Sequence, residues 1–329
     1  MGTPTAKDID VTALGELLID FTEYGVSDQW NVTFEANPGG APCNLLAMLA
    51  KLGKKTAFIG KVGEDGFGHL LGDAVEEQGI DISSLIYDKD VHTTLAFVHK
   101  LPDGDRDFSF YRGPGADMML RKEEIDLDLI RRAKIFHFGS LSLTDEPART
   151  ATREALKIAE KADCLISFDP NLRPPLWKDL DLAKEQIAFG LQHTDVLKIA
   201  DNEIQWFTGE QDFDAAVDIL RERYPQIRLI CVSLGPDGSI AYYKGFKFKV
   251  PAFKTPDTVE TTGAGDCFGA CILNYLLEHD IDDLTPGDLR QMLVFANAAA
   301  SVVTTWKGAL RMMPTEQEVR DVIRAHSDK

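Results

Sequence analysis

The sequence predicts an α/β protein in which a mostly parallel sheet is covered by helices on both faces. Short apolar runs alternate with longer segments of helical periodicity along the chain. Hydrophobic residues make up 44% of the 329 residues, which is enough for a large core. No apolar run reaches the roughly 18 residues of a membrane-spanning helix. These observations together favour a globular protein and exclude a membrane protein.

The elements follow from the apolar spacing. Strands are predicted at 11–14, 57–62, 135–138, 164–168, 196–199 and 229–232. Helices are predicted at 41–53, 65–79, 146–162, 201–223, 264–278 and 288–306. The segment 264–278, for example, carries Phe268, Cys271 and Tyr275 at helical spacing.

Two segments do not fit the strand–helix alternation. In the first, the strand-like runs 93–99 and 107–111 flank the Pro-Asp-Gly-Asp sequence at 102–105, which is typical of a hairpin turn. The second, 22–35, also resembles an extended chain. Periodicity alone permits either a small separate sheet or an extension of the main sheet.

Composition limits the class of function. The net charge is −18, and no basic stripe is visible, so we expect no nucleic-acid partner. The five cysteines include no C-x-x-C pair, which favours free thiols in a reducing compartment. The N-terminus lacks a signal pattern. We therefore expect a cytoplasmic protein without a membrane partner.

The most informative motif is the glycine turn Gly263-Ala264-Gly265-Asp266, which leads into the predicted helix 264–278. Unpaired amides and the positive end of the helix dipole suit an anion there. Asp266 places a carboxylate beside that anion, where it can accept a proton from an attacking hydroxyl. The alternative is that Asp266 merely complements the helix dipole, and the motif alone does not exclude it.

Polar loops follow the predicted strands, and in an open parallel sheet ligands bind beyond the carboxyl ends of the strands. Asp169, Asn171 and Arg173 follow the run 164–168, and the arginine fork suits a phosphate. An ordinary turn rich in Asp, Asn and Pro explains the same residues. A loop with Ser233, Gly235 and Gly238 follows the run 229–232.

Further ligand-binding candidates lie early in the chain. Asp20 follows the first strand, and Gly39 and Gly40 permit close approach of a ligand to the backbone. The amide of Asn44 suits sugar hydroxyls, although a simple helix start explains this stretch too. No Walker motif occurs, so a nucleoside triphosphate must be held in another way.

Taken together, these segments resemble the ribokinase-like (PfkB) carbohydrate kinases, and the fructokinases most closely. The stretch 38–63 is similar to the family's first signature. The stretch 261–266 is similar to its second, about 220 residues further on. Similar stretches also occur at 15–21, 110–112, 136–140 and 169–173, so the resemblance covers nearly the whole chain.

The resemblance implies a single ribokinase-like domain over residues 1–329, with three α/β/α layers and a mostly parallel central sheet. The segments 22–35 and 92–111 would form a small β-sheet lid over the sugar. The activity implied is transfer of the γ-phosphoryl group from ATP, with Mg²⁺, to a primary sugar hydroxyl, giving fructose 6-phosphate from D-fructose. The family also implies a homodimer through the lid, where Trp30 would meet the partner.

The same resemblance implies roles for individual residues. Asp266 is similar in position to the catalytic base, and Arg173 would approach the transferring phosphate. The implied anion hole consists of Gly263, Ala264 and Gly265. The implied substrate-binding residues are Asp20, Gly39, Gly40, Asn44, Arg112, Asp169 and Asn171. The implied nucleotide-binding residues are Ser233, Gly235, Gly238 and Asn297.

Two departures from the family pattern concern ions. The family's N-x-x-E motif falls on 200–203, where Ala200 replaces the asparagine and Glu203 is kept as a water-mediated Mg²⁺ ligand. Glu260 stands where the family usually has aspartate. With Thr262 it marks a potential monovalent-cation site, and the longer side chain leaves activation by K⁺ open.

Other functions stay open at this stage. The acceptor could be 2-keto-3-deoxygluconate, ribose, a nucleoside or a sugar phosphate. The basic residues Lys100, Arg106 and Arg112 leave room for the last of these. A catalytically silent sugar- or nucleotide-binding regulator is a different class, and the intact 263–266 turn argues against it.

Overall fold

The computed structural model describes residues 6–100, 106–253 and 258–327, which contain thirteen strands. They are β1 (Ile9–Leu14), β2 (Leu18–Val26), β3 (Val32–Gly39), β4 (Thr56–Gly63), β5 (Asp81–Asp88), β6 (Leu95–Lys100), β7 (Arg106–Tyr111), β8 (Ala133–Gly139), β9 (Leu165–Asp169), β10 (Val196–Ala200), β11 (Leu229–Ser233), β12 (Ser239–Tyr243) and β13 (Phe246–Val250). Within these ranges the larger sheet has nine strands in the order β13-β12-β11-β10-β9-β8-β1-β4-β5. Neighbours from β11 to β5 are parallel, whereas β12 and β13 are antiparallel.

Helices cover both faces of this sheet. They are α1 (Ala41–Lys51), α2 (Gly66–Glu77), α3 (Leu127–Arg131), α4 (Ala148–Lys161), α5 (Leu180–Gln192), α6 (Asp201–Thr208), α7 (Phe213–Arg223), α8 (Ala264–Glu278), α9 (Pro286–Val303) and α10 (Glu316–Ser327). One core cluster joins α1, α2, α8, α9 and α10 to the sheet, and the other joins α3 to α7. Val11 and Leu14 of β1 belong to different clusters, because successive side chains of a strand point to opposite faces of the sheet. The predicted three-layer α/β/α architecture is confirmed.

All six predicted strands belong to the nine-stranded sheet, but the prediction missed three others. The apolar residues of β5 are interrupted by Ser83 and Ser84, so the strand lacks the unbroken apolar run of a buried strand. β12 and β13 form a hairpin around Lys244 and Gly245, which have φ angles of 43° and 83°. Positive φ at both turn residues is typical of a tight hairpin.

The helix predictions agree within a few residues at every position except 201–223. That segment forms two helices, because Gly209 adopts a left-handed φ of 79° and ends α6. Asp212 then begins α7 by accepting hydrogen bonds from the amides of Asp214 and Ala215. The helices α3, α5 and α10 were not predicted. Within the described ranges, none of the helices combines the length and apolar character needed to cross a bilayer.

The second sheet has the strand order β3-β2-β6-β7, with antiparallel outer pairs and a parallel β2–β6 pair. The predicted strand-like segment 22–35 is a hairpin of two strands, which turns before Val32 and pairs Leu18 with Gly39. The Phe21 and Phe97 rings stack with their centroids 4.7 Å apart. The predicted hairpin in 92–111 is present as β6 and β7, and its turn residues 102–105 lie outside the described residues.

Candidate active site

A cavity of about 1190 Å³ lies between the carboxyl ends of the parallel strands and the small sheet. Its lining comes from β2, β3, the loops after β9, β10 and β11, and the starts of α1 and α8. The volume exceeds the roughly 300–1,000 Å³ of a pocket for one drug-sized ligand. The cavity can therefore hold two small substrates side by side.

Asp266 lies in the first turn of α8, directly after the glycine turn. Gly263 begins the helix in the left-handed region, with φ 79°, and its added Cβ would lie 2.6 Å from that of Ala309. The amide of Ala264 donates to the Thr261 carbonyl over 3.3 Å. The next amides, of Gly265 and Asp266, have no acceptor one turn earlier in the helix and line the cavity. Such amides at a helix start are chemically suited to an anion.

The Asp266 carboxylate has a raised pKa of about 6. Removal from water is the largest cause, and the charge of Asp169 adds to it, whereas the Asn44 hydrogen bond, Lys198 and Arg173 oppose it. Asn44 donates from Nδ2 to Asp266 Oδ2 over 2.8 Å. The buried Oδ1 atom of Asn44 has no hydrogen-bond partner among the described residues. It is therefore available to a ligand hydroxyl.

Asn44 reaches Asp266 because of the way α1 begins. Gly40 precedes the helix with φ 125°, and a Cβ there would lie 2.5 Å from the Glu16 carbonyl oxygen. Only glycine fits that position. The Glu16 carboxylate in turn accepts a hydrogen bond from the Ala41 amide over 2.9 Å.

Asp20 lines the cavity from β2. Burial raises its pKa to about 7, with Arg173 opposing the shift and Glu260 and Asp266 adding to it. Gly39 of β3, which pairs with Leu18, lies outside the cavity lining, and a Cβ there would collide with Asp20 Oδ2. Gly39 therefore makes room for the carboxylate.

The candidate residues at the end of β9 and in the loop after it have two different roles. Asn171, with φ 44°, and the exposed Arg173 both line the cavity. Asp169 does not line it, because its carboxylate forms an ion pair with Lys198 over 2.8 Å. Its other oxygen accepts a hydrogen bond from the Asn171 amide over 3.1 Å. Asp169 thus holds neighbours in place, contrary to the expectation that it contacts substrate.

Lys198 and Glu203 complete the floor of the cavity. Burial alone would lower the pKa of Lys198, but the charges of Asp169, Glu203 and Asp266 outweigh it and raise the pKa. Glu203 accepts hydrogen bonds from the amides of Leu172 over 2.6 Å and Ala200 over 2.8 Å. The sequence analysis missed Lys198, whose one signal is a charge inside an otherwise apolar strand.

The end of the cavity away from the small sheet is lined by the four residues expected to bind the nucleotide: Ser233, Gly235, Gly238 and Asn297. Gly238 has φ 96°, and a Cβ there would collide with the Val250 carbonyl. Asn297 donates to the carbonyls of Val250 and Pro251 over 3.1 and 3.2 Å, and its Oδ1 accepts from Ser239 over 2.9 Å. Its side chain shapes this end of the cavity by fixing the backbone.

Glu260 and Thr262 lie beside the glycine turn. The Thr262 hydroxyl donates to Glu260 Oε1 over 2.7 Å, and the Gly308 amide donates to Oε2 over 3.1 Å. The Glu260 amide also bonds the Thr304 carbonyl over 3.1 Å. Glu260 therefore ties the glycine turn to the segment that follows α9.

Arg112 does not reach the cavity, and the expectation that it contacts sugar is not met in this structure. Its guanidinium is buried in an ion pair with Asp117, with Nη2 and Oδ2 2.7 Å apart. It also donates to Thr144 Oγ1 over 3.1 Å and to the Leu141 carbonyl over 2.9 Å. These three partners occupy the fork that a substrate would need.

Comparisons with known proteins agree with this arrangement. The model of the family described as pfkB family carbohydrate kinase matches residues 8–316. Fructokinase-2 of Zea mays is 40% identical over 315 residues, which are 95% of this chain and 93% of that protein.

Two solved structures share the fold over almost their whole length. Fructokinase from Xylella fastidiosa with bound ATP has a TM-score of 0.88 and 30% identity, covering 98% of this chain and 99% of that one. A fructokinase double mutant from Vibrio cholerae O395, with fructose, ADP and potassium ion bound, has a TM-score of 0.85 and 26% identity, covering 97% and 99%. The chain described here belongs to the pfkB family of carbohydrate kinases.

Proposed function

We propose that this protein is an ATP-dependent fructokinase that phosphorylates the 6-hydroxyl of D-fructose. The observation that carries the proposal is the Asp266 carboxylate, which lies in an anion-binding helix start and is hydrogen-bonded to Asn44. The fructokinases of similar sequence and fold support fructose as the acceptor.

In the proposed reaction, the sugar hydroxyl oxygen attacks the γ-phosphorus while the bond to the β,γ-bridging oxygen breaks. The hydroxyl proton passes to Asp266, and ADP leaves. Since the pKa of Asp266 is about 6, the carboxylate is largely ionised at neutral pH and can accept this proton. The amides of Gly265 and Asp266 and the Arg173 guanidinium stabilise charge on the transferring group, which is usually the larger contribution. The Ala264 amide, which the resemblance also implies for this role, donates to the Thr261 carbonyl.

Sugar recognition is assigned to the end of the cavity under the small sheet. Asp20 offers carboxylate oxygens, and Asn44 offers a carbonyl oxygen that has no partner within the described ranges, so both can accept hydrogen bonds from hydroxyls. Asn171 adds a further amide from the opposite wall. Gly39 and Gly40 act by keeping space for Asp20 and by setting the start of α1.

The nucleotide is assigned to the other end, against Ser233, Gly235, Gly238 and Asn297. Glycines with positive φ bring the backbone close to this end without side chains in the way. The ATP-bound Xylella fastidiosa structure supports a nucleotide in this fold.

The residues present fit Mg²⁺ as the accompanying ion. Among the described residues no group of three His, Cys, Asp or Glu could hold a metal. Asp201, Asn202 and Glu203 nevertheless offer oxygen ligands to the cavity. Mg²⁺ is usually held by one or two carboxylates with substrate phosphates and water, so this donor set is sufficient. When bound, the ion neutralises charge on the β- and γ-phosphates.

A potassium ion beside Glu260 and Thr262 stays a prediction. The Glu260 carboxylate accepts hydrogen bonds from the Thr262 hydroxyl and the Gly308 amide, so it lies directly beside the glycine turn, where the resemblance implies the ion. The test is turnover in K⁺ against turnover in tetramethylammonium at equal ionic strength. Equal rates would remove the ion from the proposal.

We further propose that the small sheet is a lid over the sugar and a dimer interface, within one domain that spans residues 1–329. Large apolar side chains are exposed on this sheet: Tyr24, Val26, Trp30, Val32 and Tyr111. Exposed apolar patches of this kind mark protein–protein contacts. A cytoplasmic location is part of the same proposal.

The deciding experiment is a coupled ADP-release assay with fructose, ribose, 2-keto-3-deoxygluconate, nucleosides and sugar phosphates as acceptors. Fructose is expected to give the highest kcat/KM. A higher value with another acceptor would transfer the assignment to that acceptor. Fructose binding by calorimetry without ADP formation would identify a silent regulator instead.

A further inference from the structure

Lys198 is a buried cation that the reaction described above leaves without a role. It projects from β10 and lines the cavity with only 9% of its surface exposed. A Cβ added to Gly265 would lie 3.1 Å from Lys198 Nζ. The ammonium therefore lies directly beneath the glycine turn at the start of α8.

The ammonium has more donors than partners. A lysine offers three N–H groups. Among residues 6–100, 106–253 and 258–327, its hydrogen-bonding acceptor is Asp169 Oδ2 at 2.8 Å. The remaining donors lie in the wall of a cavity that takes an anion at that place. Gly265, which lacks a side chain, leaves the approach to them open.

A phosphoryl group that enters the cavity near Lys198 needs a cation to offset the negative charges around it. The cavity brings the carboxylates of Asp20, Glu203 and Asp266 to one region, and each would repel a phosphoryl group. Arg173 is exposed, so solvent screens its charge more than that of Lys198. Lys198 is thus the better placed of the two cations to act on the group in transfer.

We propose that Lys198 is a catalytic residue, whose ammonium donates hydrogen bonds to the oxygens of the transferring phosphoryl group. Asp169 is its positioning residue, because the ion pair fixes the end of a flexible side chain. Lys198 stays protonated throughout, and the hydroxyl proton still passes to Asp266. The inference rests on the proposed function.

The test compares Lys198→Met with a matched buried lysine. Lys61 is 3% exposed and pairs with Asp88 and Glu124 over 3.0 and 2.8 Å, but it does not line the cavity. We expect Lys198→Met to lower kcat at least about 100-fold while the dissociation constants for fructose and ADP change less than about threefold. Lys61→Met is expected to keep kcat within about twofold, with a lower Tm.

Measuring Lys198→Met in a protein that also carries Asp169→Asn distinguishes a direct role of Lys198 in the reaction from a purely structural role. Lys198→Met in that background leaves no unpaired buried carboxylate at residue 169. A further loss of kcat of at least about 30-fold relative to Asp169→Asn alone supports contact with the phosphoryl group. No further loss would mean that Lys198 acts only through Asp169 and would overturn the proposal, as would wild-type kcat in folded Lys198→Met.

The wild-type protein and Asp266→Asn are assayed alongside. If the wild-type protein releases no ADP with any acceptor, the proposed function fails. If the wild-type protein turns over and Asp266→Asn does not, while Lys198→Met is normal, only the assignment of Lys198 fails. Recovery of at least about tenfold in Lys198→Arg would show that the positive charge is the property that matters.

Discussion

The side-chain amide of Asn44 donates a hydrogen bond to Asp266 Oδ2 over 2.8 Å, across 222 residues of sequence. The contact joins the first turn of α1 to the first turn of α8. It leaves the Asn44 carbonyl oxygen without a hydrogen-bond partner in the part of the chain that the structure describes. One side chain thus orients the proposed base with its nitrogen and offers the sugar an acceptor with its oxygen.

Replacing Asp266 by Asn tests the proposed base. The amide cannot accept the hydroxyl proton, so kcat is expected to fall about 10²–10⁴-fold. The substitution keeps the shape of the side chain, and the melting temperature should change little. Near-normal turnover in a folded Asp266→Asn protein would exclude this residue as the base.

The Asn44→Ala variant should shift the pH dependence of kcat. The Asn44 hydrogen bond favours the ionised carboxylate, so its loss raises the pKa of Asp266 above about 6. The neighbouring charges of Asp20, Asp169, Lys198 and Arg173 remain. The acid limb of kcat at saturating sugar is therefore expected to move to higher pH. An unchanged acid limb would show that the limb belongs to another group.

Glu16 should make stability depend on pH. It is 4% exposed, and burial is the largest cause that raises its pKa from 4.5 to about 7. A raised carboxyl pKa contributes stability that is fully present below about 4.5 and is lost as the pH rises through about 7. Glu16→Gln removes this loss and keeps an acceptor for the Ala41 amide.

We therefore expect Glu16→Gln to be more stable than the wild-type protein at pH 8, by at most about 3 kcal/mol, with the difference vanishing near pH 4.5. Urea unfolding at several pH values measures it. Glu123→Gln, at a side chain that is 68% exposed, is the control and should show no such trend. Equal stability of Glu16→Gln and wild type at pH 8 would contradict the prediction.

Gly40→Ala should lower the free energy of unfolding by more than the cost of a left-handed backbone conformation alone. Gly53 has φ 80° and open space around it, so Gly53→Ala costs about 1–2 kcal/mol. Gly40→Ala adds overlap with the Glu16 carbonyl, and its cost is expected to be at least about 1 kcal/mol larger. Denaturant unfolding compares the two variants. A smaller cost for Gly40→Ala would show that the surrounding chain relaxes easily.

Trp30→Glu tests the proposed dimer. Trp30 is 88% exposed on the small sheet, and a charge there should prevent apolar contact between two copies. Gel filtration is expected to show the monomer for this variant and the dimer for the wild-type protein. Leu180→Glu, at an exposed residue of α5, should elute as the wild type does. If Trp30→Glu elutes as the wild type does, the small sheet is not the interface.

Most of the fold follows from apolar periodicity, since six strands and their helices were predictable from spacing alone. The predicted helix 201–223 is broken by a single left-handed residue, Gly209, and the apolar periodicity continues through it. Periodicity therefore could not show that two helices form there. The hairpin of β12 and β13 had a detectable signal in the Lys244-Gly245 turn. β5 had only a weak signal, because Ser83 and Ser84 interrupt its apolar residues.

The site was predictable where a residue type and its chemistry suffice, as with Asp266 and Asn44. Lys198 could not be found in this way, because only the β9–β10 pairing brings it against Asp169. Arg112 was assigned to the sugar because the stretch 110–112 resembles the fructokinases. Its partner Asp117 arrives only when the intervening loop folds back, and that pairing removes Arg112 from the cavity.

The strand β3 passes into α1 through Gly40 alone, while the paired strand β2 carries Asp20. Any tilt of the small sheet therefore moves Asp20 relative to Asp266. A compound that binds only the outer surface of this sheet and holds it open would therefore weaken sugar binding without occupying the sugar site.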